Sequence, residues 1–274
     1  MSEHFPQFSA GLGHLFTEWD LLDRFALAKE HGFDGVELTL PYDKTPEQLQ
    51  QVRKATELEV IIFTAPLGDF LDGGEGIAVV PGKEQTFMDS LKTALEYAEA
   101  LDARLVQFVS GRCFGQDNDP QKRQRYINTF VANIDSAAEA LANNKTKIVL
   151  EAINTRDYPD YLLNIPEHLF AVQAACSGDI KVEFDTLHHS VMGLDCCEEI
   201  INNGGRYAHL QLSDYPNRST PGTGELDFQS FYDAILASDY RGWIGTEYHP
   251  SEPGSLNSLA WLEQAREKLT PQKL

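Results

Sequence analysis

Hydrophobic and polar positions along this chain follow two periods that alternate from one end to the other. Short apolar or alternating runs are typical of buried strands, and longer stretches with apolar residues every three or four positions are typical of helices. Strands are predicted at 8–12, 36–38, 60–63, 105–109, 148–151, 181–184, 207–212 and 243–247. Strands that alternate with helices run parallel, and eight such units can close into a (β/α)8 TIM barrel.

Helical periodicity, proline at helix starts and glycine after helix ends predict the intervening elements. Helices are expected at 18–31, from Pro46, at 85–101, 125–141, 166–176 and 196–202, after the capping residue Asp227, and at 255–268. The chain has 274 residues, of which 42% are hydrophobic, close to the usual size of a (β/α)8 barrel. No linker interrupts the pattern, so residues 1–274 are predicted to form a single TIM-barrel domain.

The segment 66–82, after the third strand, contains five glycines and two prolines. It is too long for a simple turn, and it is predicted to form a lid over the site. The alternative is a disordered surface loop.

The stretch 181–189 combines a strand with chemically active side chains. Asp185 follows the sixth strand, and His188 lies three residues further on. The carboxyl ends of parallel strands face a crevice, where such side chains meet others from neighbouring strands. The alternative is that Asp185 only caps the following helix and that His188 is solvated.

Three further polar side chains lie at strand ends: Glu151 on the fifth, Gln211 on the seventh and Glu247 on the eighth strand. With Asp185 they are expected to surround one point at the mouth of the barrel. Three carboxylates this close repel one another unless a cation or a proton intervenes. Hard oxygen donors favour Mg²⁺ or Mn²⁺, with Zn²⁺ as an alternative. The predicted metal ligands are therefore Glu151, Asp185, Gln211 and Glu247.

Five side chains near these ligands are candidates for binding or support. His188 can reach a ligand of the metal, and Arg218, after the seventh strand, is the local cation, unless it is a solvated loop charge. Asn154 and Asp157, after the fifth strand, are expected to support the metal ligands or to bind substrate hydroxyls. His209 is expected to be a buried structural histidine, because it lies deeper than Gln211 on the same strand face.

Charge and cysteine content restrict the partners and the compartment. Lys and Arg number 22 and Asp and Glu number 42, so the net charge of −20 opposes binding to nucleic acid and to anionic membranes. Residues 1–6 lack the features of a signal peptide, and no apolar run approaches membrane-spanning length. The four cysteines lack zinc-site spacing, and together these features predict a reduced, cytoplasmic location. Whether the chain forms a homo-oligomer is left open.

Several motifs resemble those of the hydroxypyruvate isomerase family, xylose-isomerase-like barrels that include 2-oxo-tetronate isomerases. They lie at 32–37, 41–43, 68–69, 81–84, 151–154, 185–188, 209–211, 221–225 and 242–248. The resemblance implies that Glu151 and Glu247 are catalytic and move protons as well as binding a metal with Asp185 and Gln211. It also implies that His188 and Arg218 bind substrate.

The implied activity is metal-dependent isomerisation of a small hydroxy-keto acid in carbohydrate metabolism. Hydroxypyruvate would give tartronate semialdehyde through an enediolate, and a 2-oxo-tetronate is the other candidate substrate. The alternatives are a ketose 3-epimerase on the same metal site, a non-catalytic sugar-acid-binding barrel, and a nuclease of the apurinic-endonuclease type, which the net charge opposes.

Four positions around the expected pocket depart from the family pattern. Thr64 lies near the place where relatives usually have asparagine. In the predicted lid, residues 73–76 read Gly-Gly-Glu-Gly where relatives usually have Gly-Glu-Arg-Gly, so Glu75 stands in place of an arginine. His14 stands where relatives often carry methionine, and His249 stands in place of a lysine. These changes concern the choice of substrate more than the chemistry.

Overall fold

The strands of the protein, described from a computed structural model that covers residues 6–250 and 254–270, form one ring. They are β1 (Phe8–Gly11), β2 (Gly35–Leu38), β3 (Glu59–Thr64), β4 (Leu105–Gln107), β5 (Lys147–Glu151), β6 (Lys181–Asp185), β7 (Tyr207–Leu212) and β8 (Trp243–Thr246). They follow in sequence order in a closed barrel, and β1 is parallel to both β2 and β8. The predicted (β/α)8 fold is therefore confirmed.

Helices separate the strands along the described chain. They are α1 (Leu21–Glu30), α2 (Pro46–Thr56), α3 (Glu84–Leu101), α4 (Pro120–Ala140), α5 (Pro166–Ala175), α6 (Thr186–Val191), α7 (Cys196–Asn203), α8 (Phe228–Ala237) and α9 (Ala260–Leu269). Side-chain caps mark several starts. Asp20 accepts a hydrogen bond from the amide of Leu22, and Asp227 accepts hydrogen bonds from the first-turn amides of α8, as predicted.

The main differences from the predicted elements concern two helix boundaries and one helix that was not predicted. Helix α4 begins at Pro120 rather than at 125, because the Asp119 side chain accepts a hydrogen bond of 2.8 Å from the amide of Lys122. The last predicted helix is divided into a 3₁₀ turn over 255–258 and α9. Helix α6 was not predicted, because its six residues are too few to show a helical period.

By their internal contacts, the described residues group into two compact units. One comprises the described residues of Met1–Thr39, Gln51–Ile61 and Glu183–Leu274, and the other comprises Leu40–Gln50 and Ile62–Val182. In the first unit, the Phe184 ring stacks on His189 at 4.0 Å between centroids. In the second, Ile62, Leu105 and Val149 form a buried cluster. A single domain over 1–274 stays a prediction.

Segment 66–82 has a defined conformation within the second unit. The buried Arg112 guanidinium donates hydrogen bonds to the carbonyls of Phe70 at 2.6 Å and Gly74 at 2.7 Å. The Asn133 amide donates to the carbonyl of Ala78 at 2.8 Å. These contacts argue against the disordered-loop alternative, and the role of the segment as a lid stays a prediction.

The described helices include none with the length and apolar character needed to cross a bilayer.

Candidate active site

Asp185 ends β6 and also begins α6. Its Oδ1 accepts hydrogen bonds from the amides of Leu187 at 2.6 Å and His188 at 3.1 Å, so the helix-capping part of the alternative is correct. The other part is wrong, because the His188 side chain is only 4% exposed. Its Nε2 lies 4.0 Å from Oδ2 of Asp185. Capping uses one carboxylate oxygen and leaves Oδ2 directed at charged neighbours.

Arg218, in the loop between β7 and α8, connects three of the predicted site residues. Its Nη1 lies 2.9 Å from Oε2 of Glu247 and 3.3 Å from Oδ2 of Asp185. Its Nη2 lies 3.0 Å from Nε2 of His188. The side chain is 15% exposed, so the solvated-loop alternative is wrong for Arg218. The backbone φ of Arg218 is +54°, in the left-handed region that non-glycine residues rarely adopt.

The two carboxylates that contact Arg218 differ in their proton affinity. Burial raises the pKa of Glu247 to about 7, and Asp185 and Glu37 add to this effect while Arg218 opposes it. Burial also opposes ionisation of Asp185, but His188, Arg218 and two backbone amides overcome it and hold its pKa below the ordinary value. One carboxylate is thus kept ionised, and the other can gain or lose a proton near neutral pH.

The amide group of Gln211, on β7, has a hydrogen-bonded nitrogen and a buried oxygen without a hydrogen bond in the described residues. Its Nε2 donates a hydrogen bond of 2.9 Å to Oε2 of Glu37. Its Oε1 is buried and has no hydrogen-bond partner among residues 6–250 and 254–270. Buried polar atoms normally have partners, so this oxygen is suited to bind a group that the chain itself does not supply.

Glu37 on β2 was not predicted as a functional residue, although it lies buried beneath the site. Its Oε1 accepts hydrogen bonds from Oγ of Ser9 at 2.6 Å and from Nε2 of His209 at 2.8 Å. His209 is fully buried, as expected of a structural histidine. The available signal was a carboxylate in the otherwise apolar run Val36-Glu37-Leu38, which resembles ordinary strand alternation.

Glu151 ends β5 in the second unit and is held by a chain of polar contacts. Its Oε2 accepts a hydrogen bond of 2.8 Å from Nε2 of Gln107, at the end of β4. Oε1 of Gln107 in turn accepts a hydrogen bond of 2.8 Å from Oγ1 of Thr64, at the end of β3. All three side chains are buried. Thr64 therefore supports Glu151 indirectly, through its hydrogen bond to Gln107.

Asp185 and His188, in the first unit, carry buried ligand atoms suited to a cation, and Nε2 of His188 lies 4.0 Å from Oδ2 of Asp185. Glu151, in the second unit, offers a further buried carboxylate. The sequence placed Glu151 and Asp185 among the metal ligands and assigned His188 to the substrate. Carboxylate oxygens, an imidazole nitrogen and the unpaired amide oxygen of Gln211 suit Mg²⁺, Mn²⁺ or Zn²⁺. These residues therefore fit a divalent cation.

Asn154 and Asp157 form a local motif after β5. The Asn154 Nδ2 donates to Oδ2 of Asp157 at 3.1 Å, and the Asp157 amide donates to Oδ1 of Asn154 at 2.9 Å. Arg156 also pairs with Asp157, with Nε 2.8 Å from Oδ1. Asn154 is buried and Asp157 is exposed. Their action on substrate stays a prediction.

Two of the unusual residues form an imidazole pair beside Glu247. The rings of His14 and His249 lie 4.9 Å apart, and Nδ1 of His14 lies 3.8 Å from Oε1 of Glu247. Burial, with Arg218 and His249, lowers the pKa of His14 to about 3. Burial and Arg218 also lower the pKa of His249. Both rings are therefore neutral at pH 7.

Glu75, the unusual acidic residue of segment 66–82, is turned toward α4. Its Oε1 accepts a hydrogen bond from the hydroxyl of Tyr126 at 3.0 Å and lies 3.5 Å from Nζ of Lys122. This carboxylate thus helps to join the segment to α4.

Comparison with protein families gives a match over most of the chain. The family described as xylose isomerase-like TIM barrel matches residues 25–265. The match covers the strand ends that carry the candidate site.

Two curated relatives and one solved structure show the same extent of similarity. Hydroxypyruvate isomerase of Escherichia coli (strain K12) is 33% identical over 261 residues, which are 95% of this chain and 99% of the relative. A 2-oxo-tetronate isomerase of Cupriavidus necator is 33% identical over 262 residues, 94% of this chain and 98% of the relative. A crystal structure described as an AP endonuclease, family 2, from Brucella melitensis is 33% identical with a TM-score of 0.88, covering 94% of this chain and 98% of that one.

Proposed function

The chain belongs to the xylose isomerase-like TIM barrel family, and from this premise we propose that it is a metal-dependent isomerase of small hydroxy-keto acids. The names of two relatives at 33% identity, hydroxypyruvate isomerase and 2-oxo-tetronate isomerase, support this substrate class. The observation that carries the proposal is the contact of Arg218 with both Asp185 and Glu247. It joins a cation suited to an acid substrate to carboxylates suited to a metal and to proton transfer.

The proposed reaction moves hydrogen between neighbouring carbons of the substrate. In hydroxypyruvate, one glutamate removes a proton from the carbon that carries the hydroxyl group, which gives an enediolate. The other glutamate delivers a proton to the former carbonyl carbon, while the hydroxyl proton moves to the former carbonyl oxygen, and tartronate semialdehyde results. Glu151 and Glu247 take these two roles. No hydrogen, oxygen or electron enters or leaves in the balance, so no redox cofactor is required.

The metal would be held by Glu151, Asp185, Gln211 and Glu247, with His188 as a further ligand or as a substrate contact. When bound, a divalent cation polarises the carbonyl oxygen and stabilises the negative charge of the enediolate. The Gln107 amide holds the Glu151 carboxylate in place, and the Leu187 and His188 amides hold Asp185. Preset ligand positions lower the reorganisation needed on binding.

The substrate carboxylate is assigned to Arg218, because a chain of net charge −20 needs a local cation to attract an anion. A guanidinium can bind a carboxylate through two parallel hydrogen bonds. His188, 3.0 Å from Nη2 of Arg218, would contact the neighbouring substrate oxygen. Asn154 and Asp157 are assigned to the distal hydroxyl groups.

The test is proton NMR of product formed from hydroxypyruvate, from a 2-oxo-tetronate and from a ketose, with Mg²⁺, Mn²⁺ or Zn²⁺ added. Conversion of hydroxypyruvate into its aldehyde isomer, or of the 2-oxo-tetronate into its 3-oxo isomer, is the expected result. Inversion of a ketose at C3, with both keto acids unchanged, would instead establish the epimerase alternative. No turnover of any substrate with any ion would favour the non-catalytic alternative.

A metal-dependent nuclease is a second candidate, favoured by the AP endonuclease description of the Brucella melitensis structure. Binding to nucleic acid depends on clustered lysine and arginine, and the net charge of −20 opposes it. Incubation with a duplex that contains an abasic site separates the two candidates. Cleavage at that site, together with inert keto acids, would replace the isomerase proposal.

A further inference from the structure

The Glu37 carboxylate is enclosed in the first unit and accepts hydrogen bonds from three side chains. Ser9 and His209 contact Oε1 at 2.6 and 2.8 Å, and Gln211 contacts Oε2 at 2.9 Å. Only 4% of Glu37 is exposed. A carboxylate in such a position is costly to bury, and three donors offset that cost.

The neighbouring strand leaves space for this cluster. A Cβ atom added to Gly245 on β8 would overlap Oε1 of Glu37 and would lie 2.7 Å from Nε2 of His209. Any larger residue at 245 would therefore displace the contact between the imidazole and the carboxylate. The backbone of β8 is thus shaped around the Glu37 cluster.

The contact with Glu37 determines which end of the Gln211 amide faces the site. An ionised carboxylate can only accept hydrogen bonds, so it binds the NH₂ group of the amide and not its oxygen. Oε1 is then directed away from Glu37, where it is buried and has no partner in the described part of the chain. A hard cation requires this oxygen, whereas the NH₂ group cannot coordinate it.

We propose that Glu37 is a positioning residue that fixes the orientation of the Gln211 amide and so presents its oxygen to the divalent cation. This inference rests on the proposed function, since it assumes that Gln211 is a metal ligand. Glu37 contacts neither the substrate nor the cation in this role. Glu37 acts through the one hydrogen bond that it accepts from Gln211, the proposed metal ligand.

Calorimetric titration of the purified full chain with Mn²⁺ measures the effect directly. Glu37→Met fills a similar volume without an acceptor and is expected to weaken Mn²⁺ binding about 10- to 100-fold, the usual loss when a residue behind a ligand is removed. Glu37→Gln retains an oxygen that can accept from Gln211, and it is expected to restore most of the affinity. Ser9→Ala removes a donor from Oε1 without changing the amide contact, and its loss should stay below tenfold.

A double-mutant cycle shows whether Glu37 acts through Gln211. In a Gln211→Ala background, Glu37→Met is expected to cause no further loss beyond about twofold, the usual error of additivity. The proposal would be overturned if Glu37→Met weakened Mn²⁺ binding equally in the wild-type and Gln211→Ala backgrounds. It would also be overturned if Glu37→Met alone left the Mn²⁺ affinity unchanged. Wild-type protein that binds no divalent ion would instead overturn the proposed function and, with it, this inference.

A second measurement applies even if Glu37→Met does not fold. In the ¹⁵N-labelled wild-type protein, the side-chain NH₂ signals of Gln211 are assigned by their absence from the Gln211→Ala spectrum. The NH₂ hydrogens of the amide bound to Glu37 are expected to exchange slowly with solvent. Rapid exchange, equal to that of an exposed glutamine, would contradict a fixed orientation.

Discussion

Nη1 of Arg218 lies 2.9 Å from Oε2 of Glu247, and this contact joins the loop after β7 to the end of β8. The first prediction concerns Arg218→Ala, which removes the cation assigned to the substrate carboxylate. Hydrogen bonds to charged groups contribute about 1.5–3 kcal/mol, so kcat/KM for hydroxypyruvate should fall at least about tenfold. Arg218→Lys keeps the charge but not the paired donors, and its loss should be intermediate. Steady-state kinetics measure both. A wild-type KM for Arg218→Ala would remove Arg218 from substrate binding.

The second prediction concerns the polar contacts behind Glu151. Gln107→Met removes the donor that lies 2.8 Å from Oε2 of Glu151, while it preserves the size of the side chain. We expect kcat/KM to fall about 10- to 100-fold, because the carboxylate loses its fixed orientation. Thr64→Val acts one contact further away and should have a smaller effect. A larger loss in Thr64→Val than in Gln107→Met would show that Thr64 acts by another route.

The third prediction concerns segment 66–82. Arg112→Met removes two charged hydrogen bonds, to the carbonyls of Phe70 and Gly74, and should lower the free energy of unfolding by about 3 kcal/mol. Cleavage within the segment by a protease should become faster. Lys92→Ala, which breaks an exposed ion pair with Asp89, serves as the control. It should change neither the free energy of unfolding nor the rate of cleavage within the segment. Urea unfolding and limited proteolysis are the measurements. Unchanged cleavage in Arg112→Met would mean that other contacts hold the segment.

The fourth prediction assigns proton transfer to two glutamates. Glu151→Gln and Glu247→Gln keep the shape of each side chain but cannot move a proton, so each should lower kcat about 100-fold or more. Glu263→Gln, on the exposed side of α9, is the matched control and should retain full activity. Circular dichroism verifies the fold of each variant. Full activity of either site variant at saturating metal would end its proposed role.

Much of the barrel could be predicted because each strand and most helices have a clear hydrophobic period. Helix α6, directly after Asp185, could not be predicted, because it is too short to show a hydrophobic period. Asp185 is also both the last residue of β6 and the capping residue of α6, so the sequence shows no break between the two elements. The sequence offered capping and chemistry as alternatives for Asp185. The structure gives one oxygen to the cap and directs the other toward Arg218.

Parts of the candidate site depend on long-range contacts that no local pattern records. Glu37 and His209 lie 172 positions apart in sequence, yet their side chains meet at 2.8 Å. The place of Arg218 depends on a left-handed backbone conformation in its loop, which charge and spacing do not reveal. The candidate residues at strand ends stay predictions, made because a parallel barrel brings strand ends to one face. No local pattern in the sequence indicated the partners that support them.

Removal of the divalent ion is the sharpest test of the proposed function. The purified protein is treated with a chelator, its metal content is measured by elemental analysis, and turnover of hydroxypyruvate is followed by proton NMR. We predict that turnover is lost with the ion and returns when Mg²⁺, Mn²⁺ or Zn²⁺ is added back. Undiminished turnover by protein that contains no metal would contradict the proposal.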